Sequence, residues 1–230
     1  MQKIKYLVFI ALFAATALPA QALIFFEPGI GYQLNTLKQK HGTTDGVTDK
    51  ELSAKLNGLA IDVKAGVDVP FVYFGPYLNL AFPGISTSNG WAQLSPEVSS
   101  PLMVAAGVMV GVKVPVVPLK AWVGYQLVNE ISLKSTSGTG SEGGNDASYK
   151  GKGFMAGLGY EIKLVLPISF NVQYHNETYD TANNVIGNNG NLDFKLPALI
   201  TDSDTNFSDV YLDKANAHRF VFFVSVPLRL

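Results

Sequence analysis

The amino-acid sequence predicts an all-β protein: an eight-stranded antiparallel up-and-down transmembrane β-barrel with short periplasmic turns and long extracellular loops. Three observations predict it. Eight segments alternate apolar residues with polar or small ones at a period of two, the mark of strands whose two faces meet different surroundings. The connections between them run long, short, long, short to the end, so every short one falls at the same end of the strands. The apolar faces carry no Asp, Glu, Lys or Arg. Charged residues make up 15% of the chain, against about 25% in a typical soluble domain, so much of the surface does not meet water.

The chain opens on a secretory leader. Lys3 and Lys5 precede an apolar run, Tyr6 to Leu18, too short to span a membrane as a helix. Ala20-Gln21-Ala22 is a small-x-small cleavage site, which divides the chain into a signal peptide, 1–22, and a barrel, 23–230. Removal of the two lysines takes the formal charge from −1 to −3, which gives no sign of a basic nucleic-acid surface. With no Cys, there is neither a disulfide framework nor a lipid-modified cysteine.

The first strand is Phe26 to Leu34, apolar on its even positions, and a polar loop is expected from Thr36 to Lys55. The second, Leu59 to Val69, puts Asp62, Lys64 and Asp68 opposite its apolar face, and Pro70-Phe71 turns the chain. The third, Val72 to Phe82, contains Pro76, which has no amide to donate, so a bulge or local gap is expected there. A loop with Trp91 follows from Pro83 to Pro101. The fourth strand, Leu102 to Val114, carries Met103, Met109 and Lys113 on its second face. The fifth, Leu119 to Leu133, sets Lys120, Trp122, Gln126 and Glu130 against an apolar row that includes Ile131. A Ser/Gly-rich loop spans Lys134 to Lys152. The sixth strand, Phe154 to Leu164, brings Met155, Glu161 and Lys163 to the second face; the seventh, Ile168 to Thr178, brings His175 and Glu177. The longest loop, Tyr179 to Ala217, is rich in Asn and Asp. The last strand, Arg219 to Leu230, alternates Phe220, Phe222, Val224, Val226, Leu228 and Leu230 with Arg219, Phe223, Ser225 and Arg229.

A basic side chain on a lipid face at mid-membrane costs about 2–4 kcal/mol, which accounts for the clean apolar rows. The charges fall on the other face: Glu27, Asp62, Asp68, Glu130, Glu161 and Glu177 against Lys64, Lys113, Lys120, Lys163, Arg219 and Arg229. This balanced set is expected to form a lumen charge network, with Glu27 and Arg229 paired where the first and last strands meet. Trp122, Met103, Met109, Met155 and Phe223 are expected to plug or gate the lumen. A soluble barrel with an apolar inside would need long charged side chains over its water face. That face is instead rich in Gly (Gly29, Gly66, Gly107, Gly111, Gly157), which suits the crowded inside of a small barrel.

In this pattern, Phe26 to Leu230 resembles the small eight-stranded outer-membrane barrels of the OmpA, OmpX and OmpW kind. The resemblance implies residence in the outer membrane of a Gram-negative-type envelope, contact with outer-membrane lipid and lipopolysaccharide, and recognition of the C-terminal strand by the outer-membrane insertion machinery. Members usually end on an aromatic residue, whereas this chain ends on Leu230. No peptidoglycan-binding domain of the OmpA kind is expected after the barrel.

Candidate chemistry is sparse. His175 and Glu177 share a face near the extracellular rim, but the His-Ser-Glu set of an outer-membrane lipid A deacylase has no Ser at the matching place, so a lumen hydrogen-bond pair is expected. Asp202 to Asp213 spaces its oxygens like a calcium loop, yet has Phe207 where the sharp turn needs Gly, and no metal site is expected. The apolar cluster Leu196 to Ile200 is expected to pack on the rim. No cofactor is expected. The expected role is a monomeric, non-enzymatic, surface-exposed structural or interaction protein that meets an extracellular ligand through its four loops. The alternatives are a narrow channel or carrier for small hydrophobic molecules and a lipid-modifying enzyme.

Overall fold

The computed structural model of the protein describes residues 23–43, 50–89, 99–114, 117–135, 147–163, 165–183, 210–212 and 214–229. The leader, Trp91, the 196–200 cluster, and 202–209 and 213 of the calcium-like segment lie outside them.

The strands are β1 (Leu23–Thr43), β2 (Lys50–Asp68), β3 (Val72–Asn89), β4 (Ser99–Lys113), β5 (Leu119–Ser135), β6 (Ala147–Ile162), β7 (Ile168–Asn183), β8 (Val210–Leu212), β9 (Ala215–Ser225) and β10 (Leu228–Arg229). β1 to β7 pair antiparallel in chain order, β7 pairs antiparallel with β9, and β9 returns to pair with β1 from Gly29↔Ser225 to Lys38↔Asn216. The sheet is therefore a closed, eight-stranded, up-and-down barrel, with β8, β9 and β10 sharing the eighth place in the wall. Between β9 and β10 the Val226 amide still donates to Pro28 O at 3.0 Å, so the seam holds across Pro227.

The first short connection is as tight as expected. Val69 and Val72 exchange both backbone hydrogen bonds around Pro70-Phe71, at 2.9 and 3.3 Å. Pro76 stays paired with Val108 on β4, but the β2–β3 ladder skips from Lys64↔Tyr77 to Val67↔Phe74. Gly66 fills that gap with φ +152°, where a Cβ would lie 2.1 Å from Phe74 O. The missing proline donor is thus absorbed by a glycine on the neighbouring strand.

Outward and inward faces separate cleanly on β9, whose alternate residues from Ala215 to Ser225 are buried and whose intervening ones are exposed. Around the barrel the exposed row is apolar: Ile24 to Leu34 on β1, Phe74 to Phe82 on β3, Val108 to Val112 on β4, Phe154 to Ile162 on β6, Phe220 to Val224 on β9. Eleven residues from Ile24 to Leu34 cover about 36 Å of strand, or about 28 Å of height at a tilt of about 40°, close to the apolar band of a membrane barrel.

The strands run well past this belt at the long-connection end. Strand continues into the segments expected as loops, over 36–43 and 50–55, 83–89 and 99–101, 134–135 and 147–152, and 179–183, 210–212 and 215–217, while 44–49, 90–98, 136–146, 184–209 and 213 lie outside the described residues. There the faces exchange character. Lys38, Lys55, Lys150 and Asn216 point out, while Leu37, Ala54, Leu56, Ile85, Ala215 and Ala217 are buried inside. A wall that leaves the apolar belt must turn its polar side outward to water, and its inside then closes like a soluble core.

One bulge changes the reading of β5. Ala106 pairs with Val128 and Gly107 with Gln126, so Leu127 is an extra residue, and Leu127 and Val128 are both exposed. Beyond it the alternation is reversed. Ile131, expected outside, is fully buried, and Glu130, expected in the lumen, stands on the outer wall 3.9 Å from Lys150.

Candidate functional site: the barrel lumen

Inward-facing side chains fill the barrel in layers. Nearest the short-turn end, Arg229 donates to both carboxylate oxygens of Glu161 (3.1 and 2.8 Å) and to Asp68 (3.1 Å). Asp68 also holds Lys113. Glu27 accepts from Lys120 Nζ at 2.6 Å and from Ser225 at 2.5 Å, so the expected Glu27–Arg229 pair does not form. Arg229 lies beside Phe25 in register, one turn of the pleat nearer the mouth than Glu27, and meets the acids of β2 and β6 first. Phe25 and Tyr73 pack edge to face above this rim, with ring centroids 5.6 Å apart.

The middle layer is built on Lys64. Its ammonium bonds Asp62 at 2.5 Å and lies 4.1 Å from the Phe223 ring centre and 4.9 Å from that of Trp122. Trp122 lies on Gly157, where a Cβ would come within 2.3 Å of the indole. Tyr73 lies on Gly111 in the same way. The glycines of the inner face are therefore slots for rings. Met103, Met109 and Met155 are buried among these layers, and Met103 Sδ accepts from Gln33 (3.2 Å) and Asn35 (3.4 Å).

Above it, Arg219 is fully buried and gathers four strands. It donates to Glu177 (2.5 Å), Asn79 (2.6 Å) and Gln33 (3.2 Å), and lies 3.1 Å from His175 Nδ1. Gln126 Nε2 is 2.7 Å from the same ring nitrogen and donates to Glu177 at 3.0 Å. Two donors facing Nδ1 leave the ring proton on Nε2, which donates to Gln173 at 3.0 Å. Tyr179 adds its hydroxyl, 2.9 Å from the second oxygen of Glu177. His175 and Glu177 thus sit in one network but do not hydrogen-bond each other; His175 Nδ1 and Glu177 Oε1 are 3.7 Å apart. The apolar residues Leu37, Leu56, Ile85, Ile131 and Tyr149 cap this layer from the long-connection side.

Among the described residues, five carboxylates (Glu27, Asp62, Asp68, Glu161, Glu177) face five cations (Lys64, Lys113, Lys120, Arg219, Arg229), and every one of the ten has an ion-pair partner. Of the charges read from sequence, Glu130 lies outside, as above, and Lys163 lies exposed past the end of β6 with no ion pair among the described residues. Sequence reading placed Gln126 on the inner face but missed Tyr149, Tyr179 and Asn129 as network members. Tyr149 and Tyr179 fall in segments that read as loops, and Asn129 lies just past the bulge, where the alternation is reversed. A cavity of about 710 Å³ opens at the short-turn mouth, lined by Asp68, Lys113, Lys120, Glu161, Lys163 and Arg229. A space of about 20 Å³ lies beyond it at Phe25, Glu27 and Tyr73.

No family model and no curated protein matches the chain. Among solved structures, it is similar to Neisserial surface protein A at 13% identity and a TM-score of 0.44, over 86% of this chain and 96% of that one. It is similar to the attachment invasion locus protein Ail of Yersinia pestis, solved with the heparin analogue sucrose octasulfate, at 10% identity and a TM-score of 0.49, over 89% and 99%. It is also similar to the outer membrane protein OprG of Pseudomonas aeruginosa at 9% identity and a TM-score of 0.40, over 90% and 96%.

Proposed function

We propose that the chain is an outer-membrane barrel with a sealed lumen, a non-enzymatic anchor that presents its long connections at the cell surface for a structural or interaction role. The observation that carries this reading is the lumen itself: ten charges, all paired, interleaved with Trp122, Phe223 and three methionines and capped by an apolar layer. Breaking a buried pair by removing one partner costs about 3–5 kcal/mol, so thermal motion does not open such a lumen readily. The apolar belt supports placement in a bilayer, because an outward row of Phe, Val, Ile and Leu of this height is stable only against lipid. The arrangement also argues against lipid chemistry at His175, whose two ring nitrogens are both engaged and which is 0% exposed.

The test is reconstitution into planar bilayers, with insertion verified by a heat-dependent gel shift of the same sample. Inserted protein is expected to carry no steady ion current. A stable open-channel current would favour the channel reading instead. Deletion of residues 184–209 is expected to leave the gel shift intact and to abolish binding to any surface ligand found.

A further inference from the structure

Outside the lumen, one patch of the wall combines features that no part of the proposed role uses. At the β5 bulge, Leu127 and Val128 stand side by side on the outer surface, 57% and 49% exposed. Lys152 of β6 lies opposite them, between the pairs Gln126↔Gly153 and Asn129↔Gly151. Phe154, 65% exposed, comes next on β6 and packs against Tyr125 with ring centroids 5.0 Å apart. On the other side of Lys152, Lys150 also points outward, about 7 Å further along the strand. Lys152 has no ion-pair partner among the described residues, and Lys150 is only loosely tied to Glu130 at 3.9 Å.

The patch therefore has an apolar shelf of Tyr125, Leu127, Val128 and Phe154 within the belt, and two adjacent ammonium groups where the belt ends. Its surroundings share the sign. Of the described outward side chains beyond the belt, Lys38, Lys55, Lys150, Lys152 and Lys214 are basic and only Glu130 and Asp180 are acidic. At the short-turn end the outward row is apolar up to Lys163.

We propose that this patch binds one phosphorylated lipid of the outer leaflet, with the headgroup phosphate between Lys150 and Lys152 and an acyl chain along Phe154, Leu127 and Val128. The inference rests on the membrane placement above. The physical ground is complementarity at both ends of one molecule: apolar surface at acyl depth, and at headgroup depth two cations, Lys152 without an ion pair among the described residues and Lys150 held only by Glu130 at 3.9 Å. The bulge supplies the shelf, since a regular strand would turn either Leu127 or Val128 inward.

The experiment is native mass spectrometry of the full chain released from detergent after incubation with bis-phosphorylated lipid A, its dephosphorylated form, or inorganic phosphate. The wild type is expected to retain one bis-phosphorylated lipid. The double variant Lys150→Gln/Lys152→Gln is expected to retain about thirty-fold less, the factor that two interfacial lysines supply. Lys163→Gln at the opposite rim is expected to match the wild type. Equal retention of the dephosphorylated lipid, equal retention by the double variant, or displacement of the lipid by millimolar inorganic phosphate would each overturn the proposal. A heat-dependent gel shift of every variant separates the two levels. Its loss in the wild type sinks the membrane placement, whereas its presence with lysine-independent retention sinks only this site.

Discussion

Arg219 ties the upper lumen together, because its guanidinium reaches β1, β3 and β7 from β9. Its pair with Glu177 is fully buried on both sides, so removing the cation leaves a carboxylate without its strongest partner. Arg219→Leu should lower stability by about 3–5 kcal/mol, read as a shift of the urea midpoint in lipid vesicles. Adding Glu177→Leu should recover part of that loss; a double variant as unstable as the sum of the singles would refute the pairing. The identity of Arg219, Glu177 and His175 as inward-facing residues was legible from alternation alone. Their partners were not. Alternation assigns a face, but the choice of partner depends on the tilt and stagger of strands, which set who stands across the lumen. That is why Glu27 meets Lys120 rather than Arg229. Gly157 is a second test at this scale. A Cβ there would strike the Trp122 ring, so Gly157→Val should destabilise by about 1–3 kcal/mol, measured by the same midpoint, while the exposed Ala156→Val should be near neutral.

Among the elements, β5 is the one that alternation misreads. A single extra residue, Leu127, moves every later side chain to the opposite face, which buries Ile131 and frees Glu130. Deleting Leu127 would restore regular alternation. It should then leave Glu130 outside and Ile131 inside, as they are now, and keep the heat-dependent gel shift. A deletion variant that lost the gel shift would contradict Leu127 as the extra residue. The strand ends were hidden for a related reason. Up to the belt edge, apolar residues point out; beyond it, Leu37, Leu56 and Tyr179 point in. A pattern whose sense reverses partway along a strand averages to a polar stretch, and 36–55 and 179–217 read as loops. Pro76 was legible: the amide it lacks predicts the ladder gap seen opposite Gly66.

For the whole molecule, the claim is a barrel with apolar residues toward lipid and a lumen closed to water. The eight-strand count, the order and the position of the short turns followed from the sequence because they depend only on period and connection length. Closure to water did not, since it depends on whether side chains meet across the interior. The chain has no Cys, so single cysteines can be placed one at a time along β9 and labelled in lipid vesicles. Position by position, Phe220, Phe222 and Val224 should be quenched by a lipid-soluble reagent, while Ala217, Val221 and Ser225 should be reached by neither lipid-soluble nor aqueous reagents. Aqueous labelling of the even positions would place the apolar face in water, and aqueous labelling of the odd ones would mean an open pore.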